Sequence, residues 1–289
     1  VYSTFLQRAM DQLVHDICMQ DLHVILAIDR AGLVGEDGET HHGVLDLPWT
    51  RTIPNLAVMA PRDRDDLRWM YQEALKTRSP SAIRLPRGQV PVSMCREGQD
   101  FPREWGRSEK ILDGTGWCIF SYGATVPLAV RTYEETWRTG VEPPSVYDLR
   151  FLKPLDTDTI MSALSSHLFA VVIEDSNVEG GIGEKISSLA NRKGLTVRVE
   201  SLGVPDRFVP HGTVREQWEY CGLVPGEVIG LYEIFRKRGK TGSGNGRKGH
   251  HREQEPGPVV DTGRIRTGGR GKGSEAREEG PERFSDRSR

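Results

Sequence analysis

The chain has 289 residues, of which 36% are hydrophobic and 28% are charged, and its formal net charge is −2. That length allows one to three domains. The four cysteines form no CxxC pair, which argues against a disulfide framework or a zinc site. No apolar run approaches the roughly 18 residues that a membrane-spanning helix needs. We therefore expect a soluble cytoplasmic protein with no membrane partner.

The end of the chain differs in composition from the rest. From Arg236 onward, 15 Lys and Arg residues stand against 8 Asp and Glu residues, and only five of these 54 residues are hydrophobic. Such a segment cannot bury enough apolar surface to offset the entropy that is lost on ordering. The sequence therefore predicts a disordered tail over residues 238–289. The body before it is long enough to bury two ordinary cores.

Helical and extended patterns alternate in the first part of the body. Apolar residues at positions 9, 10, 13, 14, 17 and 18 follow the period of an amphipathic helix. Asp63 is placed to cap a second helix. The predicted helices cover residues 7–20 and 65–76, and the predicted strands cover residues 24–28, 56–59 and 81–85. Short apolar strands between such helices indicate a parallel α/β sheet.

A second α/β unit follows a short linker. Residues 96–103 carry Gly98 and Pro102 among polar side chains, which is typical of a linker. Beyond it we predict strands over 117–121, 145–149, 169–173 and 196–199, and helices over 124–138, 156–165, 183–192, 213–220 and 227–237. The predicted fold class is therefore α/β, with two parallel-sheet domains over residues 1–95 and 104–237.

Two arginines each stand at the carboxyl end of a predicted strand. Arg30 comes after the strand over residues 24–28, and Arg87 comes after the strand over residues 81–85. Ligands of open parallel sheets bind outside the carboxyl ends of the strands. The two arginines could therefore hold a phosphate through charge-assisted, bidentate bonds. Alternatively, each could pair with a nearby carboxylate, for example Arg30 with Glu36.

Aromatic and histidine side chains surround the first of these arginines in the sequence. His41 and His42 are adjacent and cannot share one face of a helix or strand. They are therefore weak candidates for a pair of metal ligands. One of them could instead contact a substrate or donate a proton. Tyr2 and Phe5 stand just before a predicted helix. Such rings either join the core or stack on a flat heterocycle.

Several motifs follow one another in a fixed order. The first four are Tyr-Ser-Thr-Phe-Leu-Gln-Arg-Ala-x-Asp-Gln from Tyr2, Ala-Ile-Asp-Arg-Ala-Gly from Ala27, Gly-x-Asp-Gly-x-Thr-His-x-Gly from Gly35 and Arg-x-Pro-Arg-Gly from Arg84. Further segments are residues 149–156, 174–183 and 202–208. In this order and spacing they resemble the 1-deoxy-D-xylulose-5-phosphate synthases, a transketolase-like family that depends on thiamine diphosphate. The resemblance covers Tyr2 to about Phe235.

The resemblance implies the identity of both domains and of the cofactor contacts. Residues 1–95 would be most of a transketolase pyrimidine-binding domain, and residues 104–237 would be the transketolase C-terminal domain. Phe5 would stack on the aminopyrimidine ring of thiamine diphosphate. Tyr2 would lie close to the reacting centre, and Arg8 would lie in the same pocket.

The resemblance also implies a substrate site. Arg30 and Arg87 would hold the phosphate of glyceraldehyde 3-phosphate, and Asp37 and His41 would contact the substrate, acting with Tyr2 as catalytic residues. The family joins pyruvate, with loss of carbon dioxide, to glyceraldehyde 3-phosphate, the first step of non-mevalonate isoprenoid and of thiamine and pyridoxal precursor biosynthesis. The cofactor acts as the electron sink. Leu85 stands where the family usually has tyrosine.

Other family elements are expected upstream of Tyr2. The family has there a glutamate that contacts the pyrimidine ring and a Gly-Asp-Gly motif that binds magnesium, and neither is found in this chain. We therefore expect the Mg²⁺ ligands in a missing N-terminal half, which would be a partner of this chain. The chain alone is expected to be inactive, and the whole enzyme is expected to be a homodimer.

Two alternatives to this function remain open. The chain could be the C-terminal subunit of a split transketolase-type enzyme with another acceptor. It could also be a non-catalytic interaction protein whose Arg-Gly-rich tail binds nucleic acid. The acidic stretch over residues 275–282 reverses the charge of the tail, which argues against nucleic-acid binding.

Overall fold

The computed structural model describes residues 1–88, 94 and 103–242. Apart from its last residue, the predicted linker over residues 96–103 lies outside these described residues. The last helix continues through Gly242, five residues into the predicted tail. The rest of that tail, residues 243–289, lies outside the described residues.

Strands and helices alternate along the described part of the chain. The strands are β1 Ile25–Ala31, β2 Ala57–Met59, β3 Ser81–Pro86, β4 Glu109–Leu112, β5 Trp117–Ser121, β6 Ser145–Asp148, β7 Phe151–Lys153, β8 Phe169–Asn177 and β9 Arg198–Val204. The α-helices are α1 Ser3–Leu6, α2 Met10–Gln12, α3 Asp46–Thr50, α4 Arg64–Lys76, α5 Val126–Thr139, α6 Thr157–Ser166, α7 Ile182–Arg192, α8 Val214–Tyr220 and α9 Pro225–Gly242. None of these helices is both long and apolar enough to span a bilayer.

The first sheet has the strand order β1-β3-β2-β7. The first three strands are parallel, as the sequence predicts, and β7 adds to β2 in the antiparallel sense. Strand β7 was not predicted, because its three residues show neither a continuous apolar run nor an alternation of apolar and polar side chains. Since β7 follows the second unit's strand β6 in the chain, the second half of the chain completes the first sheet.

The second sheet has the order β4-β6-β5-β8-β9. Its last four strands are parallel, and β4 is an antiparallel edge strand that the sequence analysis also missed. Every residue of β5 is buried. A continuous apolar run is expected for a central strand covered by helices on both faces. The predicted α/β class with two sheets is therefore confirmed, and each sheet is mixed rather than purely parallel.

Hydrogen bonds define where the first two helices predicted in the sequence begin. The Asp63 carboxylate accepts a bond of 2.8 Å from the backbone N–H of Asp66, so the predicted cap of α4 is confirmed. The helix predicted over residues 7–20 begins earlier, at Ser3, because Tyr2 O accepts bonds from two backbone N–H groups. It is also irregular, with a 3₁₀ turn over Gln7–Ala9 and a π-helical stretch over Leu13–Cys18.

The side chain of Glu174 occupies the glycine-rich turn before α7. The Glu174 carboxylate accepts bonds of 2.7 and 2.9 Å from the backbone N–H groups of Ile182 and Gly183. Burial raises the pKa of Glu174 to about 7. A Cβ on Gly183 would come within 1.9 Å of Ser201 Oγ, so close packing of α7 against β9 requires this glycine.

Ion pairs that involve Arg84 join the two sheets. Arg84 in β3 donates to Asp46 through Nε at 2.8 Å and to Asp175 in β8 through Nη1 at 2.7 Å. The three side chains are almost wholly buried. Burial alone would lower the pKa of Arg84, but Asp175 and Asp46 raise it well above its usual value. The guanidinium group therefore stays charged and forms ion pairs with both carboxylates.

Removal of Arg84 should destabilise the protein strongly. Arg84→Met keeps the volume but leaves two buried carboxylates without their cation, and the expected loss is about 3–5 kcal/mol of unfolding free energy. Urea unfolding followed by circular dichroism measures it. Arg68→Met, on the exposed side of α4, is the control and should change little. Equal stability of the two variants would contradict this account.

Candidate functional site

The segment from Arg30 to Gly43 leads away from the carboxyl end of β1 and is called the substrate loop, after the role that the sequence predicts for it. Its base is closed by two backbone bonds of 2.7 and 2.8 Å between Gly32 and Gly43. A Cβ on Gly43 would come within 2.3 Å of Arg30 O and 2.4 Å of Ser3 Oγ. Only glycine allows this close approach, so the loop returns directly against its own start.

Arg30 lies inside the observed strand rather than beyond it. It is the last but one residue of β1, its φ is +58°, and the pairing of β1 with β3 shifts register between Asp29 and Ala31. A residue at such an irregularity leaves the alternation of the strand and re-aims its side chain. The side chain of Arg30 consequently reaches across the substrate loop.

Asp37 joins the two arginines that the sequence analysis singled out. Its Oδ2 accepts a short hydrogen bond from Arg30 Nη1, and its Oδ1 lies 3.4 Å from Arg87 Nη2. Arg30 therefore pairs with a nearby carboxylate, which is the alternative that the sequence left open, but its partner is Asp37 and not Glu36. The carboxylate of Glu36 lies 4.0 Å from Arg87 Nη2. The side chains of Arg30 and Arg87 remain 31% and 30% exposed, so both can still reach a ligand.

Arg87 is anchored from a second direction. It follows β3 directly, as predicted, and its Nη1 donates a bond of 2.6 Å to Val34 O. A Cβ on Gly35 would come within 2.9 Å of the same nitrogen. The guanidinium group is therefore fixed against the backbone of the substrate loop, with Nη2 directed at Asp37.

Three aromatic rings form a cluster beside the arginines. The ring centroids of Tyr2 and Phe5 are 5.5 Å apart, and His41 meets both rings edge-on at 6.0 and 5.7 Å. Arg30 lies over the Tyr2 ring at 4.6 Å, and Arg8 lies over the Phe5 ring at 5.6 Å. All the predicted cofactor and substrate residues therefore lie in one continuous group.

One ring of this cluster, that of Phe5, is open to solvent. Phe5 is 41% exposed, so its ring is not part of the buried core. The Nδ1 atom of His41 lies 2.9 Å from Thr40 Oγ1, which orients the imidazole. The backbone of Tyr2 forms a bridge with Asp29 of β1, so the cluster is attached to the sheet.

His42, in contrast, is a buried structural residue. Its Nδ1 accepts a bond of 3.2 Å from Val34 N, and its Nε2 lies 3.0 Å from Val209 O. Since Nδ1 accepts, Nε2 carries the proton. Burial lowers the pKa of His42. Among the described residues, no group of three or more His, Cys, Asp or Glu side chains could hold a metal ion.

A cavity that Arg87 helps to line adjoins the site. Its volume is about 200 Å³, and its walls come from the substrate loop, β3, β8 and α8. Gly32 and Leu33 line it from the loop, Asp175 lines it from β8, and Trp218 lines it from α8. Both sheets therefore contribute to the walls around the two arginines.

Comparison with known proteins identifies the family to which the chain belongs. The model of the transketolase pyrimidine-binding domain matches residues 1–93, and the model of the transketolase C-terminal domain matches residues 106–228. A protein entitled split gene transketolase, inactive beta4 tetramer, superposes with a TM-score of 0.72 at 25% identity over 81% of this chain and 74% of its own. Transketolase from Campylobacter jejuni has the same fold, with a TM-score of 0.66 at 15% identity, over 81% of this chain and 35% of its own. The chain therefore belongs to the transketolase family.

Within that family, the chain is similar in sequence to 1-deoxy-D-xylulose-5-phosphate synthases. The chain is 44% identical over 243 residues to 1-deoxy-D-xylulose-5-phosphate synthase of Chlorobium luteolum, covering 83% of this chain and 38% of the relative. It is 42% identical over 241 residues to the synthase of Geobacillus thermodenitrificans, covering 82% and 38% respectively. The expected resemblance to these synthases is confirmed, and the chain spans less than two fifths of the length of these curated relatives.

The buried state of His42 should appear as pH-dependent stability. In the unfolded chain its pKa is about 6.5, and in the folded chain it is lower. Below about pH 6.5 the unfolded state therefore binds more protons, so stability falls as the pH decreases. Urea unfolding at pH 7.5 and 5.5 should show a smaller loss for His42→Gln than for the wild type. His15→Gln, at an exposed site, should retain the wild-type loss, and an identical loss in all three proteins would be inconsistent with this prediction.

Proposed function

We propose that the chain provides the pyrimidine-binding and C-terminal domains of a 1-deoxy-D-xylulose-5-phosphate synthase, a transferase that joins pyruvate, with loss of carbon dioxide, to glyceraldehyde 3-phosphate. The observation that carries the proposal is the convergence of Arg30 and Arg87 on a single carboxylate beside a half-exposed aromatic ring. The similarity to named synthases over four fifths of the chain supports the same reaction.

The two arginines would bind the phosphate of the acceptor substrate. A phosphate can take bonds from both guanidinium groups, and such charge-assisted bonds are about twice as strong as neutral ones. Asp37 lies between the two guanidinium groups and contacts both. It would then accept a hydrogen bond from a substrate hydroxyl, while the arginines turn to the phosphate.

The aromatic cluster fits a flat heterocyclic cofactor. Phe5 offers an exposed ring to the aminopyrimidine of thiamine diphosphate, with Arg8 beside it. When bound, the cofactor would supply the electron sink for the loss of carbon dioxide from pyruvate. The imidazole of His41 and the hydroxyl of Tyr2 would hold or move a proton next to the substrate, and both rings lie in contact distance of Phe5.

The remaining requirements would be met outside the described residues. We propose that the Mg²⁺ ligands, the diphosphate site and the glutamate that contacts the pyrimidine belong to another portion of the synthase. That portion, and a second copy in a homodimer, would be the partners of this chain in the cytoplasm. The chain alone would then bind substrate without turning it over.

A second candidate is a split transketolase-type enzyme with another acceptor. The observation in its favour is the TM-score of 0.72 to the split gene transketolase. A comparison of acceptor aldehydes separates the two candidates, because only the synthase is proposed to use glyceraldehyde 3-phosphate as its acceptor. The nucleic-acid-binding alternative falls on the tail, which lies outside the described residues.

Reconstitution tests the proposed activity. The portion of the Chlorobium luteolum synthase that this chain does not span would be supplied as a separate chain, with thiamine diphosphate and Mg²⁺. Release of labelled carbon dioxide from pyruvate is expected only with both chains present, and it should increase with glyceraldehyde 3-phosphate. A Phe5→Ala chain is the control and should release much less. No release from the wild-type pair would count against the proposal.

Loss of an arginine should affect phosphorylated acceptors selectively. In the reconstituted enzyme, Arg87→Met should raise KM for glyceraldehyde 3-phosphate by roughly 10- to 100-fold, since a bond to a charged group contributes about 1.5–3 kcal/mol. KM for unphosphorylated glyceraldehyde should change little. Arg131→Met, exposed on α5, is the matched control. An equal rise in KM for both aldehydes would refute a phosphate contact by Arg87.

A further inference from the structure

The side chain of Gln217 contacts the backbone of the substrate loop. Gln217 lies on α8 and is 2% exposed. Its Oε1 accepts a bond of 2.8 Å from Gly35 N, and its Nε2 donates a bond of 3.0 Å to Gly35 O. The primary amide therefore pairs with both backbone groups of one residue, as a neighbouring strand would do.

The amide is itself held in place by buried partners. The Nε2 atom also donates a bond of 2.9 Å to Pro210 O and lies 3.5 Å from His42 Nε2. Helix α8 begins with a capping box, in which Thr213 Oγ1 accepts from the backbone N–H of Glu216 and the Glu216 carboxylate accepts from the backbone N–H of Thr213. The orientation of Gln217 is therefore fixed by the helix and by its own hydrogen bonds.

The backbone at Gly35 is connected by hydrogen bonds to the segments that hold both charged groups of the site, Asp37 and Arg87. Gly35 O accepts a second bond, of 3.1 Å, from Gly38 N, and this bond closes the turn that carries Asp37. On the other side, Arg87 Nη1 is bonded to Val34 O, the carbonyl directly before Gly35. A displacement of Gly35 would therefore move the Asp37 carboxylate and release the anchor of Arg87 together.

We propose that Gln217 is a positioning residue for the phosphate site, acting through Gly35 on Asp37 and Arg87. It does not touch the substrate. The inference rests on the proposed function, because it assigns Gln217 to the glyceraldehyde 3-phosphate site. It gives α8, which follows Gly35 by some 180 residues in the chain, a direct part in acceptor recognition.

The test uses the full chain and measures two quantities. Gln217→Met keeps the length of the side chain but makes neither bond to Gly35. We expect the Kd for glyceraldehyde 3-phosphate, measured by isothermal titration calorimetry, to rise about tenfold, as the loss of one or two such bonds predicts. The Gly35 amide should exchange its hydrogen at least tenfold faster in NMR experiments. Arg215→Met, an exposed neighbour on α8, should match the wild type in both measurements.

A second variant separates positioning from general loss of structure and covers the case in which Gln217→Met fails to fold. Gln217→Glu can still accept from Gly35 N, but it can donate to Gly35 O only when it is protonated. Its affinity for glyceraldehyde 3-phosphate should therefore approach that of the wild type as the pH falls, whereas the Arg215→Met control should show no such recovery. A pH-independent affinity for Gln217→Glu would overturn the inference.

The remaining outcomes distinguish this inference from the proposed function. If the wild type binds and Gln217→Met binds equally well, Gln217 has only a structural role and the inference is overturned, whatever happens to the exchange of the Gly35 amide. If the wild type itself binds no glyceraldehyde 3-phosphate, the proposed acceptor site is wrong and the inference fails with it.

Discussion

The geometry of the site depends on the buried ion pairs of Arg84. This side chain belongs to the first sheet, and its partner Asp175 belongs to the second, so the two sheets meet at a charge that neither can leave unpaired. Asp175 also lies against Gly32, whose Cβ would come within 3.1 Å of the carboxylate. The substrate loop therefore begins at a point that both sheets fix, and Asp46, the other partner of Arg84, opens α3 just beyond the end of the loop.

From this joint the site is assembled out of distant segments. The parallel strands β1 and β3 of the first sheet bring Arg30 and Arg87 to one edge, and the turn after Gly35 places a carboxylate between them. The second half of the chain then contributes the wall of the neighbouring cavity and the amide of Gln217. Recognition of an acceptor by such a site would be a property of both halves together, although the side chains that we propose to contact the acceptor lie in the first.

Much of this arrangement could be predicted from the sequence, and the exceptions have physical causes. The rule that parallel strands present ligands at their carboxyl ends was sufficient to pair Arg30 with Arg87 across some 57 residues of chain. The partner of Arg30 was not predictable, because Asp37 and Glu36 are neighbours and only the turn decides between them. Strands β4 and β7 show neither a continuous apolar run nor an alternation of apolar and polar residues, and the contact of Gln217 with Gly35 leaves no local signal at all.

Asp37 has a further consequence for the two guanidinium groups. Two positive charges this close repel each other and would spread apart in solution, at a cost that any ligand would have to meet on binding. The carboxylate acts as a built-in counterion that keeps them together while the protein folds. The electrostatic work of assembling the positive cleft is thereby done in advance, and a phosphate bound as proposed would exchange one negative partner for another instead of organising the cleft from the beginning.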